Sequence, residues 1–333
     1  MSHPPSELRV AVVIPCYKVE KQLKQTIARI GPEISAIYCV IDGCPEGSLE
    51  AAEESRIIDN RVFIELHERN AGVGQAFVTG YLRACQDGAN VIVKLDGDGQ
   101  MAPEDIPRLI APLIHGDTDY VKGNRFFHLS HLKSMPISRL IGNAGLSFFS
   151  KLSSGYWNLF DPTNGFIAIH AKVGQLLPWN KVHRRYFFES DLLCQLYLIR
   201  AVVVDVPMPS RYGDETSHLN ILKTLIEFPC FHLRNFLKRV FYSYFLREFN
   251  IASLNLIIGA ILMVFGITFG SIHWLRGSEL NQFASAGTVM FAALPVILGW
   301  QALLAFLAYD VGNIPGEPLQ RTLRSSEKSN DIQ

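Results

Sequence analysis

The chain has 333 residues, 48% of them apolar, and its 31 basic residues balance its 31 acidic ones. That length suits one large domain with a core of its own and further elements besides. Zero net charge gives no electrostatic footprint for nucleic acid, and six cysteines without a Cys-x-x-Cys pair give little support to a zinc or thiol-redox site.

Residues 1–7 are polar and the apolar run 10–14 is too short for a signal-peptide core, so the front of the chain is expected in the cytosol. From 8 to about 126, short apolar runs alternate with amphipathic stretches. Strands are predicted for LRVAVVIP, ISAIYCVID, RVFIELHE and ANVIVKLDGD. Helices are predicted after them, for KQLKQTIARI, for 48–55, for GVGQAFVTGYLRACQ and for PEDIPRLIAPLIH, which Pro103 opens at its first turn. Such alternation predicts an α/β domain, a mostly parallel sheet with helices on both faces. Ligands of these sheets bind beyond the carboxyl ends of the strands, where Tyr17, Asp42, Asp96 and Asp98 stand.

The section 128–206 is less regular. It carries DPTNGFIAIH, a helix expected around RYFFESDLLCQLYLIR, and a strand AVVVDVPMP. From 221 to 250, Phe and Tyr residues interleave with Lys and Arg, the composition of helices lying in a membrane interface. Two runs, 251–275 and 287–309, hold no Asp, Glu, Lys or Arg and are each long enough to cross a bilayer. Basic residues flank the pair on both outer sides, Arg247 before and Arg321 after, which puts both termini in the cytoplasm and the short loop outside. The expected organisation is an α/β domain over 1–218, juxtamembrane amphipathic helices over 219–250, two transmembrane helices over 251–310 and a polar cytosolic tail over 311–333. The aromatic helices also offer a surface for contacts between copies, so a homo-oligomer is among the expected partners, along with the membrane.

The sharpest chemical signal is LDGDGQ. Asp96 and Asp98 stand one residue apart where an apolar strand ends, so on extended chain they face one side. Hard carboxylate oxygens so placed suit Mg²⁺ or Mn²⁺ carrying a diphosphate. Gly72 and Gly74 open a helix after a strand, as in a dinucleotide site, but Phe77 holds the third glycine's place. Close backbone packing beside the pocket is the better reading.

With these motifs the chain resembles the family 2 glycosyltransferases of GT-A fold, in particular the polyprenyl-phosphate glycosyltransferases such as dolichyl-phosphate mannose synthase and the bactoprenol glucosyltransferases. The resemblance runs from 8 to about 217, and the two-span tail matches the bactoprenol type. It rests on Ile14-Pro15-Cys16-Tyr17, on Asp42-Gly43-Cys44, on Arg69-Asn70-x-Gly72-x-Gly74 and on the Asp-Gly-Asp element. Lys18 and Val19 stand where the family continues Asn-Glu, with Glu20 next.

The resemblance implies a nucleotide-sugar donor held by Pro15, Tyr17, Asp42, Asp96, Asp98 and Gln100, with metal at Asp98 and Asp96. It implies a polyprenyl-phosphate acceptor held by Arg125, Arg139, Arg211 and Ser217, and it casts Asp161, Asp98 and Arg211 as catalytic. Guanidinium forks suit phosphate oxygens. A phosphate monoester is largely dianionic at neutral pH and needs little help from a base, so orienting the sugar or the acceptor is an alternative role for Asp161. Glu189 and Asp191 are further acids, as well suited to a helix N-terminus as to a sugar. Because the two-span tail resembles the glucosyl members, glucose from UDP-glucose is the expected donor, with GDP-mannose or a UDP-amino-sugar as alternatives. A processive polysaccharide synthase would carry Gln-x-x-Arg-Trp, which Gln195 and Arg200 do not form. A silent scaffold would not be expected to keep the acids and Arg211.

Overall fold

The computed structural model describes residues 8–126, 137–209 and 221–330, without the side chains of 137–141, 221–226 and 326–330. It divides into two units, one of residues 1–236 with 315–333, the other of residues 237–314.

The first unit is built on a seven-stranded sheet of order β3-β2-β1-β4-β6-β5-β7. Its strands are β1 (Val10–Cys16), β2 (Ala36–Asp42), β3 (Val62–His67), β4 (Val91–Lys94), β5 (Tyr120–Asn124), β6 (Ile167–His170) and β7 (Val203–Pro207). β1 pairs in parallel with β2 and β4, β2 with β3, and β5 with β7; only β6 runs against its neighbours β4 and β5. The mostly parallel sheet expected from the alternation is thus present. The strand ending in VIVK is shorter than predicted, because beyond Leu95, whose N–H still donates to Val13 O at 3.0 Å, the chain turns away as the acidic turn.

The connecting helices follow the apolar spacing. α1 (Glu20–Ala28) buries Leu23 and Ile27, one turn apart, and starts on an acid that suits the positive end of its dipole. α2 (Ser48–Ile58) extends past its predicted end, and α3 (Val73–Gln86) buries Phe77, Tyr81 and Ala84. α4 (Ile106–Ile114) follows a turn opened by Pro103. α5 (Ile137–Ser154) and α6 (Phe188–Leu198) cover the second half, and α6 is buried from Phe188 through Tyr197. Val12, Ile14, Ile37, Val93 and Phe166 form a fully buried core between sheet and helices, each contributing about 1.5–3 kcal/mol through burial.

α7 (Ile221–Phe241) runs on into a wide turn over Tyr242–Arg247. Leu233, Leu237 and Phe241 lie four residues apart on it and are each 57% exposed, an apolar stripe of the kind expected at a membrane interface. In the second unit, α8 (Ile251–Leu280) and α9 (Ala286–Gly312) are both long and apolar enough to cross a membrane. The loop between them is shorter than the charges suggested: Arg276 and Glu279 sit in the last turns of α8, which Asn281 ends in a left-handed conformation. Ser285 then caps α9 by accepting from Thr288 N at 3.1 Å. The pair packs closely through small residues. A methyl on Gly266 would lie 2.8 Å from the carbonyl of Ala292, and one on Gly299 would lie 2.9 Å from Met263 N.

The stretch expected as a polar tail contains a helix, α10 (Leu319–Asn330), that returns to the first unit. Buried Asp119 accepts from Leu319 N and Gln320 N at 2.8 Å each, and from Val202 N at 2.9 Å. The side-chain amide of Gln320, fully buried, donates to the carbonyls of Leu113 and Thr118. Asp119 precedes β5, which runs parallel to β4, so this clasp lies at the amino ends of the strands. Asp119→Ala is expected to cost about 3 kcal/mol, since it strips a charged acceptor from three backbone donors. Thermal unfolding should show the loss, and an unchanged midpoint would mean that α10 is held by other contacts.

Candidate active site

At the carboxyl ends of β1, β2 and β4 lies a cavity of about 640 Å³. Its wall includes Pro15 and Tyr17 after β1, Asp42 at the end of β2, Asn70 and Gly72 before α3, and Asp96 and Asp98 after β4. Five of the six residues expected around a nucleotide therefore meet on one cavity. The sixth, Gln100, is not among its lining; its backbone N–H donates to Asp98 Oδ1 at 3.0 Å and closes the acidic turn.

Asp42 has a structural duty as well as a place on the wall. Its carboxylate accepts from Ala71 N and Gly72 N at 2.8 Å each, and Nδ1 of His67 lies 2.8 Å from Oδ1. It thereby fastens the loop that opens α3. Gly72 has φ of +101°, and a Cβ there would come within 2.5 Å of the carbonyl of Arg184, so both conformation and space demand glycine. A Cβ on Gly74 would come within 2.6 Å of the Phe188 ring. The close-packing reading of these glycines holds. Arg184 O in turn accepts from Gly74 N at 2.9 Å and from Gln75 N at 3.2 Å.

That contact brings Arg185 and Tyr186 onto the cavity wall. Neither stood out in the sequence, because a loop docked on a distant turn leaves no periodic trace. Glu20, heading α1, also lines the cavity, and its buried Oε2 has no hydrogen-bond partner among the described residues. An acceptor so placed can take a hydrogen bond from a ligand in the cavity.

Behind the acidic turn lies a buried lysine at the end of β4. Lys94 Nζ is 2.5 Å from Asp96 Oδ1 and 3.3 Å from Glu189 Oε1. Burial pulls its pKa down, but Asp96 and Glu189 outweigh burial and hold it above the ordinary lysine value. Asp191, by contrast, accepts from His183 N at 2.7 Å and from the Asn235 amide at 2.9 Å, which fits a structural rather than a sugar-binding duty. Among the described residues no group of three or more His, Cys, Asp or Glu is arranged to hold a metal ion. Asp96 and Asp98 on an open cavity wall instead fit a hard ion that takes one or two carboxylates and fills its shell with substrate phosphate and water.

Asp161 lies elsewhere. It is fully buried, and Arg125 engages it with Nε at 2.8 Å from Oδ2 and Nη2 at 3.1 Å from Oδ1. It borders a separate slot of about 230 Å³, whose apolar wall includes Phe126, Leu146, Phe148 and Phe160, with Lys151 at its edge. The loop between the two cavities is fixed by its carbonyls: Lys122 Nζ donates to Asn164 O, and Lys94 Nζ to Gly165 O at 3.4 Å. Burial draws the Lys122 pKa down to about 8. The side chain of Arg139, and Arg211 and Ser217 entirely, lie outside the described residues.

A mostly parallel sheet, an acid pair ending its central strand and a cavity above it make up the GT-A arrangement of a glycosyltransferase. The family model "Glycosyl transferase family 2" matches residues 11–175. The UDP-N-acetylglucosamine–dolichyl-phosphate N-acetylglucosaminyltransferase of Methanococcus voltae is 31% identical over 218 residues, covering 62% of this chain and 86% of that protein. The polyprenol monophosphomannose synthase of Mycolicibacterium smegmatis is 27% identical, covering 60% of this chain and 76% of its own. In fold, the glucosyl-3-phosphoglycerate synthase of Mycobacterium tuberculosis superposes with a TM-score of 0.53 at 17% identity, over 70% of this chain and 80% of that one. The chain belongs to glycosyl transferase family 2 and is a glycosyltransferase.

Proposed function

We propose that this enzyme transfers a hexose from a nucleotide-sugar to a membrane polyprenyl phosphate, with inversion at the anomeric carbon. The observation that carries the reading is the meeting of Pro15, Tyr17, Asp42, Asp96 and Asp98 on one cavity, in a chain with two helices long and apolar enough to cross a membrane. Relatives named for dolichyl- and polyprenol-phosphate transfer support the acceptor class.

In this mechanism Tyr17 and Asp42 seat the base, and Glu20 accepts from a donor hydroxyl. Asp98, beside Asp96, would hold Mg²⁺ or Mn²⁺, which neutralises charge on the departing nucleoside diphosphate. An oxygen of the acceptor phosphate attacks the anomeric carbon opposite that leaving group. The nucleophile is already anionic, so a general base is dispensable. A carboxylate clamped by a guanidinium, as Asp161 is, suits orientation better than proton transfer. Arg125, with Arg139, Arg211 and Ser217, receives the acceptor phosphate. Catalysis is positioning plus charge stabilisation. The basic flanks of the hairpin favour a cytoplasmic catalytic unit with both termini on the same side.

The two-span tail favours UDP-glucose as donor, and the Methanococcus relative favours UDP-N-acetylglucosamine. Purified protein given polyprenyl phosphate, Mg²⁺ or Mn²⁺ and a panel of labelled UDP-glucose, UDP-N-acetylglucosamine and GDP-mannose tests the reading. Metal-dependent label entering the lipid from one donor is the expected result and names the sugar. No label from any donor, in an assay that works with a known enzyme, would defeat it.

A further inference from the structure

Asp205, on β7, is an acid to which the reaction just described gives no duty. It stands opposite Lys122 in the register of β5 and β7. Its Oδ2 accepts from the backbone N–H of Phe160 at 2.7 Å and from the side-chain amide of Asn124 at 3.2 Å. One oxygen is thereby tied to the neighbours of both members of the Arg125–Asp161 pair, since Asn124 precedes Arg125 and Phe160 precedes Asp161. The ties continue outward. Asn124 Oδ1 accepts from Phe126 N at 2.9 Å, so Arg125 is bracketed on both sides. The carbonyl of Phe160 accepts from Ser147 Oγ at 3.0 Å, and its ring meets that of Phe126 edge-on at a centroid distance of 6.1 Å.

We infer that Asp205 is a positioning residue of the acceptor site, which through Phe160 and Asn124 sets the orientation in which the Arg125 guanidinium meets the acceptor phosphate. The inference deepens the proposed function and rests on its assignment of Arg125 to the acceptor. The side chain of Asp161 is sealed from solvent, whereas that of Arg125 is 31% exposed, so one half of the pair is fixed and the other can reach a ligand. With Nε and Nη2 both on Asp161, the plane of the guanidinium follows that carboxylate. A shift of Phe160 would carry Asp161 with it and turn the fork, which matches phosphate oxygens in few orientations. The charge on Asp205 is not what the fold alone would select. Burial pushes its carboxyl up to about 6; the Phe160 N–H and the ammonium groups of Lys122 and Lys151 pull it back, and Asp161 adds to the rise. An acid raised in this way costs stability as pH climbs from the ordinary carboxylate range through that value. An ionised acceptor nevertheless grips its N–H donors more tightly than a neutral one, so the charge serves the placement of the loops.

The experiment compares wild type, Asp205→Asn and Asp205→Ala as full chains at neutral pH. Amide hydrogen exchange is followed over 124–126 and 160–164 without substrate, and label transfer gives separate KM values for the nucleotide-sugar and for polyprenyl phosphate. Exchange in both segments is expected to quicken in Asp205→Ala and less so in Asp205→Asn, whose amide oxygen still accepts. The KM for polyprenyl phosphate is expected to rise about tenfold in Asp205→Ala and about threefold in Asp205→Asn, with the donor KM within about twofold of wild type. The unfolding midpoint of Asp205→Asn should be no lower than that of wild type, because its side chain carries no charge to bury. An acid that served the fold alone would move both KM values together or lower that midpoint. Either result would overturn the inference, as would unchanged exchange at Phe160. Should Asp205→Ala fail to fold, Asp205→Asn decides alone. Wild type that labels no lipid from any donor would defeat the proposed function and this inference with it. Labelled lipid with the two KM values rising in step would defeat the inference alone.

Discussion

Asp98→Ala is expected to lower turnover about a thousandfold, the scale on which loss of a charge-stabilising group at a leaving group is felt. The fold should survive. Within the acidic turn the carboxylate of Asp98 accepts from Gln100 N at 3.0 Å, a bond worth about 1 kcal/mol. Asp98→Asn separates the two duties, because its amide oxygen still accepts from Gln100 while its charge is gone. Both variants should therefore be nearly inactive, with the alanine variant alone showing a small drop in unfolding temperature. Turnover measured by label transfer at saturating metal checks this, and near-normal activity in either would remove the metal from Asp98.

A second large effect is expected in the other unit, from Asp310→Ala. Arg239 and Asp310 are buried together, with Nη1 at 2.6 Å from Oδ1 and Nη2 at 3.0 Å from Oδ2, and the Tyr244 hydroxyl donates to Oδ1 at 2.6 Å. Removing the carboxylate leaves a buried guanidinium without that counter-charge, which costs about 3–5 kcal/mol. Replacing both partners by apolar side chains, Arg239→Met with Asp310→Leu, should recover much of the loss, because the desolvation penalty then disappears as well. Thermal unfolding in detergent orders the three proteins: wild type and the double variant above Asp310→Ala. If Asp310→Ala unfolds with wild type, the pair does not hold α7 and α9 together.

The parts of this molecule legible in the sequence are those written in local pattern. β1 to β4 and their helices follow from apolar runs and amphipathic spacing, and the acids ending β2 and β4 follow from strand direction. β5 and β6 escaped because they are short and carry polar residues, Lys122 and Asn124 in one and His170 in the other. Their strand state comes from pairing with distant partners, and the antiparallel course of β6 is a property of the sheet rather than of four residues. Lys94 reads in sequence as the polar end of a strand; only the packing of α6 supplies Glu189 and makes it a buried ion pair. Arg185 and Tyr186 reach the cavity through the docking of Arg184 on the α3 turn. Asp310 fell just past the charge-free run, where composition could not say that Arg239 meets it. The last helix has little apolar periodicity to announce it, and the groups it docks on, Asp119 and the carbonyls of Leu113 and Thr118, lie some two hundred positions earlier.

The clasp between Asp119 and α10 bears on how the protein is made. The sheet-bearing unit is interrupted in sequence by residues 237–314 and closed by residues beyond them. During synthesis the ribosome must therefore deliver both apolar helices before the last piece of that unit exists. The sheet-bearing unit cannot be finished before the hairpin has been made. Gln320 reaches its buried carbonyls only after the hairpin has been made, so a chain stalled or cut after the hairpin would lack two of the three backbone donors to Asp119 seen among the described residues.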